Sequence, residues 1–359
     1  MKSLKTLAGV TLALGIAAGC VSPGTKAGSA AKDAADPRPV LRIYTWADYI
    51  SPNVISRFER ENGCRIAVDT FDSNESMFEK LLAGGTDYDI IMPTSYQIPL
   101  MVKKGMLREL DHARLPTVRR NFDRNYAGYI FDPTFAYNVP YAVSYGGIAY
   151  RKDKIGDAPI DSWKVFGTEA LKGRMSLLDD MRETLGGALL SLGCSLNSTR
   201  AEDIARAAEV VVGWKANVTS FDNERYKEDI ASGRFAVGQG YSSDSIQLAM
   251  KDGNVGFSLP KEGFSVAVDE MVVPAGARHV ELAHRFIDFC YHPDVAATNM
   301  TDVCAPMPVA PAVPLLDAHT RRHVILDAGT LKNGEVLLEL DDATLALYRK
   351  AWDRVKAGK

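Results

Sequence analysis

From Val40 onward the chain alternates two hydrophobic patterns. Short compact apolar runs predict strands, and stretches whose apolar residues recur every three or four positions predict helices. Residues 40–45 predict a strand, 52–62 a helix with Val54, Ile55 and Phe58 on one face, and 65–71 a second strand. A helix over 75–83, with Met77, Leu81 and Leu82 apolar, leads to a short strand over 89–92 that stops at Pro93. An apolar run of that kind suits the buried centre of a parallel sheet. The opening order β-α-β-α-β is the mark of an α/β domain.

A second α/β region follows Pro140. Residues 144–151 predict a strand running through Gly146-Gly147, a hinge-like crossing. Thr199-Arg-Ala-Glu202 has the capping-box spacing and predicts a helix continuing to Val212. Beyond it come a strand over 235–238, a helix over 242–251, a strand over 266–273 and helices over 280–291 and 293–302. Residues 305–314 contain four prolines and predict a linker that crosses back, and an amphipathic helix over 343–356 closes the chain. This order predicts two α/β lobes joined by more than one crossover.

The N-terminus departs from the pattern. Lys2 and Lys5 precede an apolar run from Leu7 to Ala18, shorter than the roughly 20 residues that a membrane span needs. Residues 1–19 are expected to be an export signal. Ala17-Ala18-Gly19-Cys20 has the form of a lipoprotein signal in which Cys20 takes the lipid, although Ala17 stands where Leu is usual; a plain secretory signal is the alternative. Residues 20–39, rich in Ala, Gly, Ser, Asp and Pro, then serve as a flexible tether. Export permits disulfides; beyond Cys20 there remain Cys64, Cys194, Cys290 and Cys304, as four buried thiols or with one Cys290–Cys304 bridge.

The 359 residues suffice for about two domains. With 42 basic and 45 acidic side chains, net −3, and no basic block, the composition excludes a dedicated nucleic-acid binder. No GxSxG, Walker A, HExxH or early GxGxxG motif is present, and His319 and His323, four apart, have no third ligand beside them. Neither an enzyme nor a metal or cofactor site is indicated.

Aromatic residues and acids instead cluster where predicted strands end: Trp46, Asp48 and Tyr49; Thr94 and Tyr96; Asp180 and Glu183; Tyr241 and Asp244; and Asp269. In open α/β sheets, ligands sit beyond the carboxyl ends of strands. Aromatic faces attract cations, and carboxylates add directed, charge-assisted hydrogen bonds. A slot lined by both suits an organic polycation. Each feature also has a structural reading. Trp46 and Tyr49 would cover the core edge, Asp180 and Glu183 would favour a helix dipole, and Asp244 would be a cap. Asp269 is the sharpest, because it interrupts an apolar strand and needs a partner there.

With these residues in view, the chain from about Leu41 to Lys359 resembles the substrate-binding components of bacterial spermidine/putrescine ABC importers. The resemblance rests on Ile43-Tyr-Thr-Trp-Ala-Asp-Tyr-Ile50, Asp72-Ser-Asn-Glu75, Leu178-Asp-Asp-Met-Arg-Glu183, Pro260-Lys-Glu-Gly263 and Val355-Lys-Ala-Gly358. It implies an α/β, two-lobed periplasmic binding protein of type II, each lobe a mixed sheet flanked by helices, with hinge crossovers. Lobe boundaries are expected at 40–144 plus about 264–310, and at 145–263 plus about 311–359. The family's ligand-contacting aromatics match Trp46, Tyr49 and Tyr96, with Tyr241 in place of Trp; its amine-binding acids match Asp48, Asp180, Glu183, Asp244 and Asp269, with Thr94 in place of Ser. Ala267 and Ala305 stand where aromatics are expected and Leu337 where a Gln is, so one wall of the cage is thinned. The resemblance further implies a polyamine ligand, permease partners, and a periplasmic protein held to the membrane by its N-terminal lipid. A short diamine is expected to bind at least as well as spermidine. The alternatives are a same-fold receptor for another cationic or polar solute, which for an amino acid would need an Arg in the cleft, and a sensing or structural lipoprotein.

Overall fold

The computed structural model describes residues 36–84 and 87–358. The expected export signal, Cys20 and most of the expected tether lie outside the described residues. Ten strands form one mixed sheet: β1 (Val40–Trp46), β2 (Arg65–Phe71), β3 (Ile90–Ile91), β4 (Asn138–Arg151), β5 (Met175–Leu177), β6 (Ser220–Phe221), β7 (Val237–Tyr241), β8 (Val255–Ser258), β9 (Phe264–Val272) and β10 (Gly334–Val336). Their order is β2-β1-β3-β9-β4-β7-β5-β6, with β10 beside β9 and β8 beside β4.

The opening elements follow the sequence pattern closely. β1 pairs in parallel with both β2 and β3, and the helix Pro52–Asn62 has the predicted bounds. Its limits are set by local chemistry. The Ser51 side chain accepts hydrogen bonds from Asn53 N–H and Val54 N–H, Pro52 occupies the first turn, and Gly63 ends the helix at φ +60°. β3 differs in one respect, since its other neighbour, β9, is antiparallel, and the sheet is therefore mixed.

Two further differences have physical causes. Thr199 does not cap the helix Ala201–Lys215, whose cap residue is Arg200. Ser198 holds that corner instead, its hydroxyl donating to Asp203 and accepting from Arg200 N–H. β4 begins at Asn138, six residues ahead of the expected start. Pro140 argues against a strand, yet it is tolerated because the register with β9 shifts between Pro140 and Ala142.

β4 is the element on which both halves of the molecule are built. Through Tyr145 it pairs with β9; from Gly146 it pairs with β7, and from Ile148 also with β8. One apolar core collects around its first half and includes Ile43, Phe58, Tyr141, Met271, Phe286 and Met300. A second, with Ile148, Trp163, Leu189, Trp214 and Tyr348, collects around its second half. The closing helix Asp342–Ala357 packs on Ala201–Lys215 and on Met181–Ser191. The partner of β4 thus changes from β9 to β7 at the Gly pair. Cys290 and Cys304 are both buried and unbridged, whereas Cys194 is half-buried. Among the described residues no helix is long and apolar enough to cross a membrane.

Gly146 has no room for a side chain. A Cβ there would overlap the Ser265 hydroxyl and the Glu183 carboxylate, whereas a Cβ on Gly128 would meet nothing within 4 Å. Overpacking of this kind costs about 1–3 kcal/mol. Gly146→Ala is therefore expected to lower the urea midpoint clearly and Gly128→Ala to leave it in place. Equal midpoints for the two variants would show that the crossover separates at no cost.

Candidate functional site

A cleft partly open to solvent lies between the two sheet halves. Nine of the ten residues singled out in the sequence line it: Trp46, Tyr49, Thr94, Tyr96, Asp180, Glu183, Tyr241, Asp244 and Asp269. Asp48 does not. It sits exposed beside the cleft at φ +53°, a turn position that Asp tolerates.

The first wall is made where β1 and β3 end and β9 passes. Asp269 lies on β9, whose nine residues are all buried. Its two carboxylate oxygens accept separate hydrogen bonds, from Tyr49 OH at 2.5 Å and from Thr94 Oγ1 at 2.6 Å. Asn74 supports this wall from behind. Its amide donates to Thr94 Oγ1 and to Tyr96 OH, and its carbonyl oxygen accepts from Thr94 N–H. Trp46 is fixed by edge packing on Phe71, with ring centroids 4.4 Å apart. Asp269 thus has hydroxyl partners in the protein, which answers part of its need, but burial still lifts its pKa to about 6 against those hydrogen bonds.

The second wall comes from the start of the helix Met181–Ser191. Asp180 is its cap, accepting from Arg182 N–H and Glu183 N–H at 2.9 and 3.0 Å, and Tyr241 OH donates to its other oxygen at 3.2 Å. The structural reading placed Asp180 and Glu183 at a helix start and made Asp244 a cap; Asp180 is itself the cap of its helix, whereas Tyr241 holds the cap position ahead of Asp244. Glu183, one turn in, is buried and accepts from Ser265 Oγ at 2.6 Å. Ser265 Oγ also accepts from Gly146 N–H, which ties the acid to the crossover. Burial, reinforced by the charge of Asp180, pushes Glu183 up to about 8.

The third acid is Asp244, in the first turn of the helix Ser242–Lys251. Tyr226 OH donates to it at 2.9 Å, and Lys227 Nζ lies 3.8 Å from its other oxygen. Burial raises it to about 6, against the pull of Lys227 and the Tyr226 hydrogen bond. The charges form a row: Glu183 feels Asp180 and Asp269, while Tyr49, bonded to Asp269, feels Asp244.

Of the positions expected to thin the cage, Ala267 and Leu337 line the cleft, but Ala305 is buried in the first core and does not reach it. The expectation of two missing aromatics is thereby reduced to one, at Ala267. The sequence reading had assigned no role to Asn74, Ser144, Asn223, Lys227 or Ser243, which also line it. Asn74 stood within the motif Asp72-Ser-Asn-Glu75, and a buried Asn at a helix start was a signal to follow. Lys227 gave none, since it belongs to no motif that the sequence offered.

The model of the family described as bacterial extracellular solute-binding protein matches residues 53–323. A putrescine/cadaverine-binding protein of Pseudomonas aeruginosa is 32% identical over 88% of this chain and 93% of its own length. The spermidine/putrescine ABC transporter substrate-binding protein PotD of Streptococcus pneumoniae superposes with a TM-score of 0.77 at 30% identity, covering 89% of this chain and 99% of that one. The TpPotD lipoprotein of Treponema pallidum gives 0.80 at 30%, covering 88% and 99%. A two-lobed fold with a polar cleft between its sheet halves, together with these matches over most of the chain, places the protein among the bacterial extracellular solute-binding proteins, which serve transport and are not enzymes.

Proposed function

We propose that this chain captures a short polyamine, foremost a diamine, outside the cytoplasmic membrane and delivers it to the permease of an ABC importer. The observation that carries this reading is the row of three acids, Glu183 and Asp269 buried and Asp244 half-buried, set among Trp46, Tyr49, Tyr96 and Tyr241. Ligand ammonium groups would replace the protons of Glu183 and Asp269, and the rings would grip the methylenes between them. Asp180 contributes as the cap that aims Glu183. The residues 40–144 with about 264–310, and 145–263 with about 311–359, would move as the two lobes and close over the ligand about the Gly146 crossover. An amino-acid ligand is disfavoured. No Arg lines the cleft among the described residues, and its one basic side chain, Lys227, is already paired with acids. We further propose that Cys20 is lipidated and anchors the protein to the membrane, a reading supported by the signal pattern and by a structural relative that is itself a lipoprotein.

Calorimetry tests the ligand. Putrescine and cadaverine are expected to bind at least as well as spermidine, and Asp269→Asn to weaken them by at least about tenfold, since stranding one partner of a desolvated charge pair costs about 2–5 kcal/mol. The exposed Asp157→Asn serves as the control and is expected to change nothing. Binding of no amine, or equal losses from both substitutions, would end the polyamine reading.

Acidity should act in opposite directions on the free and the bound protein. The pKa values of Asp244, Asp269 and Glu183 are raised by folding. The folded chain therefore holds protons that the unfolded chain releases above about pH 4–4.5. Their stabilisation is full below that range and is lost as pH climbs through about 6 and then about 8. A diamine reverses the trend at Glu183 and Asp269 by displacing their protons. Between pH 5.5 and 7.5, diamine affinity is expected to rise at least about tenfold, while this group of acids contributes progressively less to the stability of the free protein. A flat affinity profile would mean that these acids do not meet the ligand.

The anchor is tested by fractionation. The wild type is expected with the membrane, because two or three acyl chains hold firmly where one does not, and Cys20→Ala in the soluble fraction. A wild type found freely soluble would rule the anchor out.

A further inference from the structure

The three acids of the row are not equivalent. Asp269 and Glu183 accept hydrogen bonds from hydroxyl groups, those of Tyr49, Thr94 and Ser265, so their charge is left for a ligand to meet. Asp244 already faces an ammonium. Lys227, on the short helix Tyr226–Ala231, extends its Nζ to 2.7 Å from Glu224 Oε2 and 3.8 Å from Asp244 Oδ1. This is not a loose surface pair, since the Lys227 and Asp244 side chains are only 19% and 17% exposed. Burial works against the Lys227 charge, yet Asp244 and Glu224 together outweigh it and hold its pKa above the ordinary lysine value. Tyr226, the preceding residue, anchors the other oxygen of Asp244, so consecutive residues of one helix grip both sides of the same carboxylate.

We propose that Lys227 is a specificity-determining residue: a primary amine carried by the protein itself that fills the Asp244 seat at one end of the slot and makes the cleft select ligands with two cationic centres over those with three. This deepens the polyamine reading and rests on it. A diamine places its two nitrogens on the Glu183–Asp269 part of the row and leaves Lys227 undisturbed. A triamine of greater length brings a further ammonium toward Asp244, where it meets Lys227. Two cations then compete for one carboxylate in a half-buried site where solvent screens them only in part. Glu224 holds Lys227 on station, so the competitor is not simply swept into solvent.

The test is calorimetry with putrescine and spermidine on the full mature chain, in four forms: wild type, Lys227→Met, Lys227→Gln and the double variant Lys227→Met/Asp244→Asn. Either substitution of Lys227 is expected to raise the ratio of spermidine to putrescine affinity by about tenfold or more, the scale of a vacated charged seat. Adding Asp244→Asn is expected to remove the gain, because the vacated carboxylate is what the third nitrogen uses. A merely structural lysine would shift both amines together, and parallel shifts, or an unmoved ratio, would overturn the proposal while leaving the polyamine reading in place. Failure of every form to bind either amine would overturn both.

Discussion

Asp269 imposes the condition that the rest of the cleft satisfies. It occupies a strand whose every residue is buried, and a carboxylate there must find donors, a proton or a cation. The protein supplies donors from two other places in the chain, Tyr49 after β1 and Thr94 after β3. Those bonds fix where the ends of three strands meet, and Asn74 locks Thr94 and Tyr96 to the same point. The hydroxyls satisfy the geometry of the acid without neutralising it. What remains is a buried site with an unmet appetite for positive charge.

The same unmet charge recurs at Glu183, but on the opposite wall and by a different route. A helix start positions it, a cap formed by Asp180 aims it, and Ser265 brings it against the crossover at Gly146. The acids that await the ligand and the strand that joins the two sheet halves are therefore in contact. Charge on Glu183 and the packing of the crossover are parts of one arrangement, and the absent Cβ of Gly146 is what allows it. Glu270, next to Asp269, shows the contrasting solution. It points away from the cleft into a closed set of partners, Ser95, Asn138 and the Phe131 N–H, and needs no ligand.

Much of this was legible in the sequence where local physics decides. The helix Pro52–Asn62 carries its own start and stop signals, and the parallel opening β1-β2-β3 follows from its alternation with helices. The aromatic and acidic positions at strand ends converged as expected, all but Asp48. The misses arose where a distant partner overrides a local rule. Pro140 lies within a strand because a register shift accommodates it, and Ser198 replaces Thr199 at a helix start because its hydroxyl reaches Asp203.

The sequence by itself determined the family, the elements and many of the groups that line the cleft, because periodicity, turn residues and ordered motifs are written along the chain. Only the tertiary structure decided which acids are left uncompensated. Asp269, Glu183 and Asp244 are alike as carboxylates in a string of letters. Their difference comes from partners far away in sequence for the first two, Tyr49 and Ser265, and for Asp244 from a lysine whose role no motif announces. Burial and the identity of the nearest donor set the charge state of a group, and both are properties of the folded neighbourhood rather than of the residue.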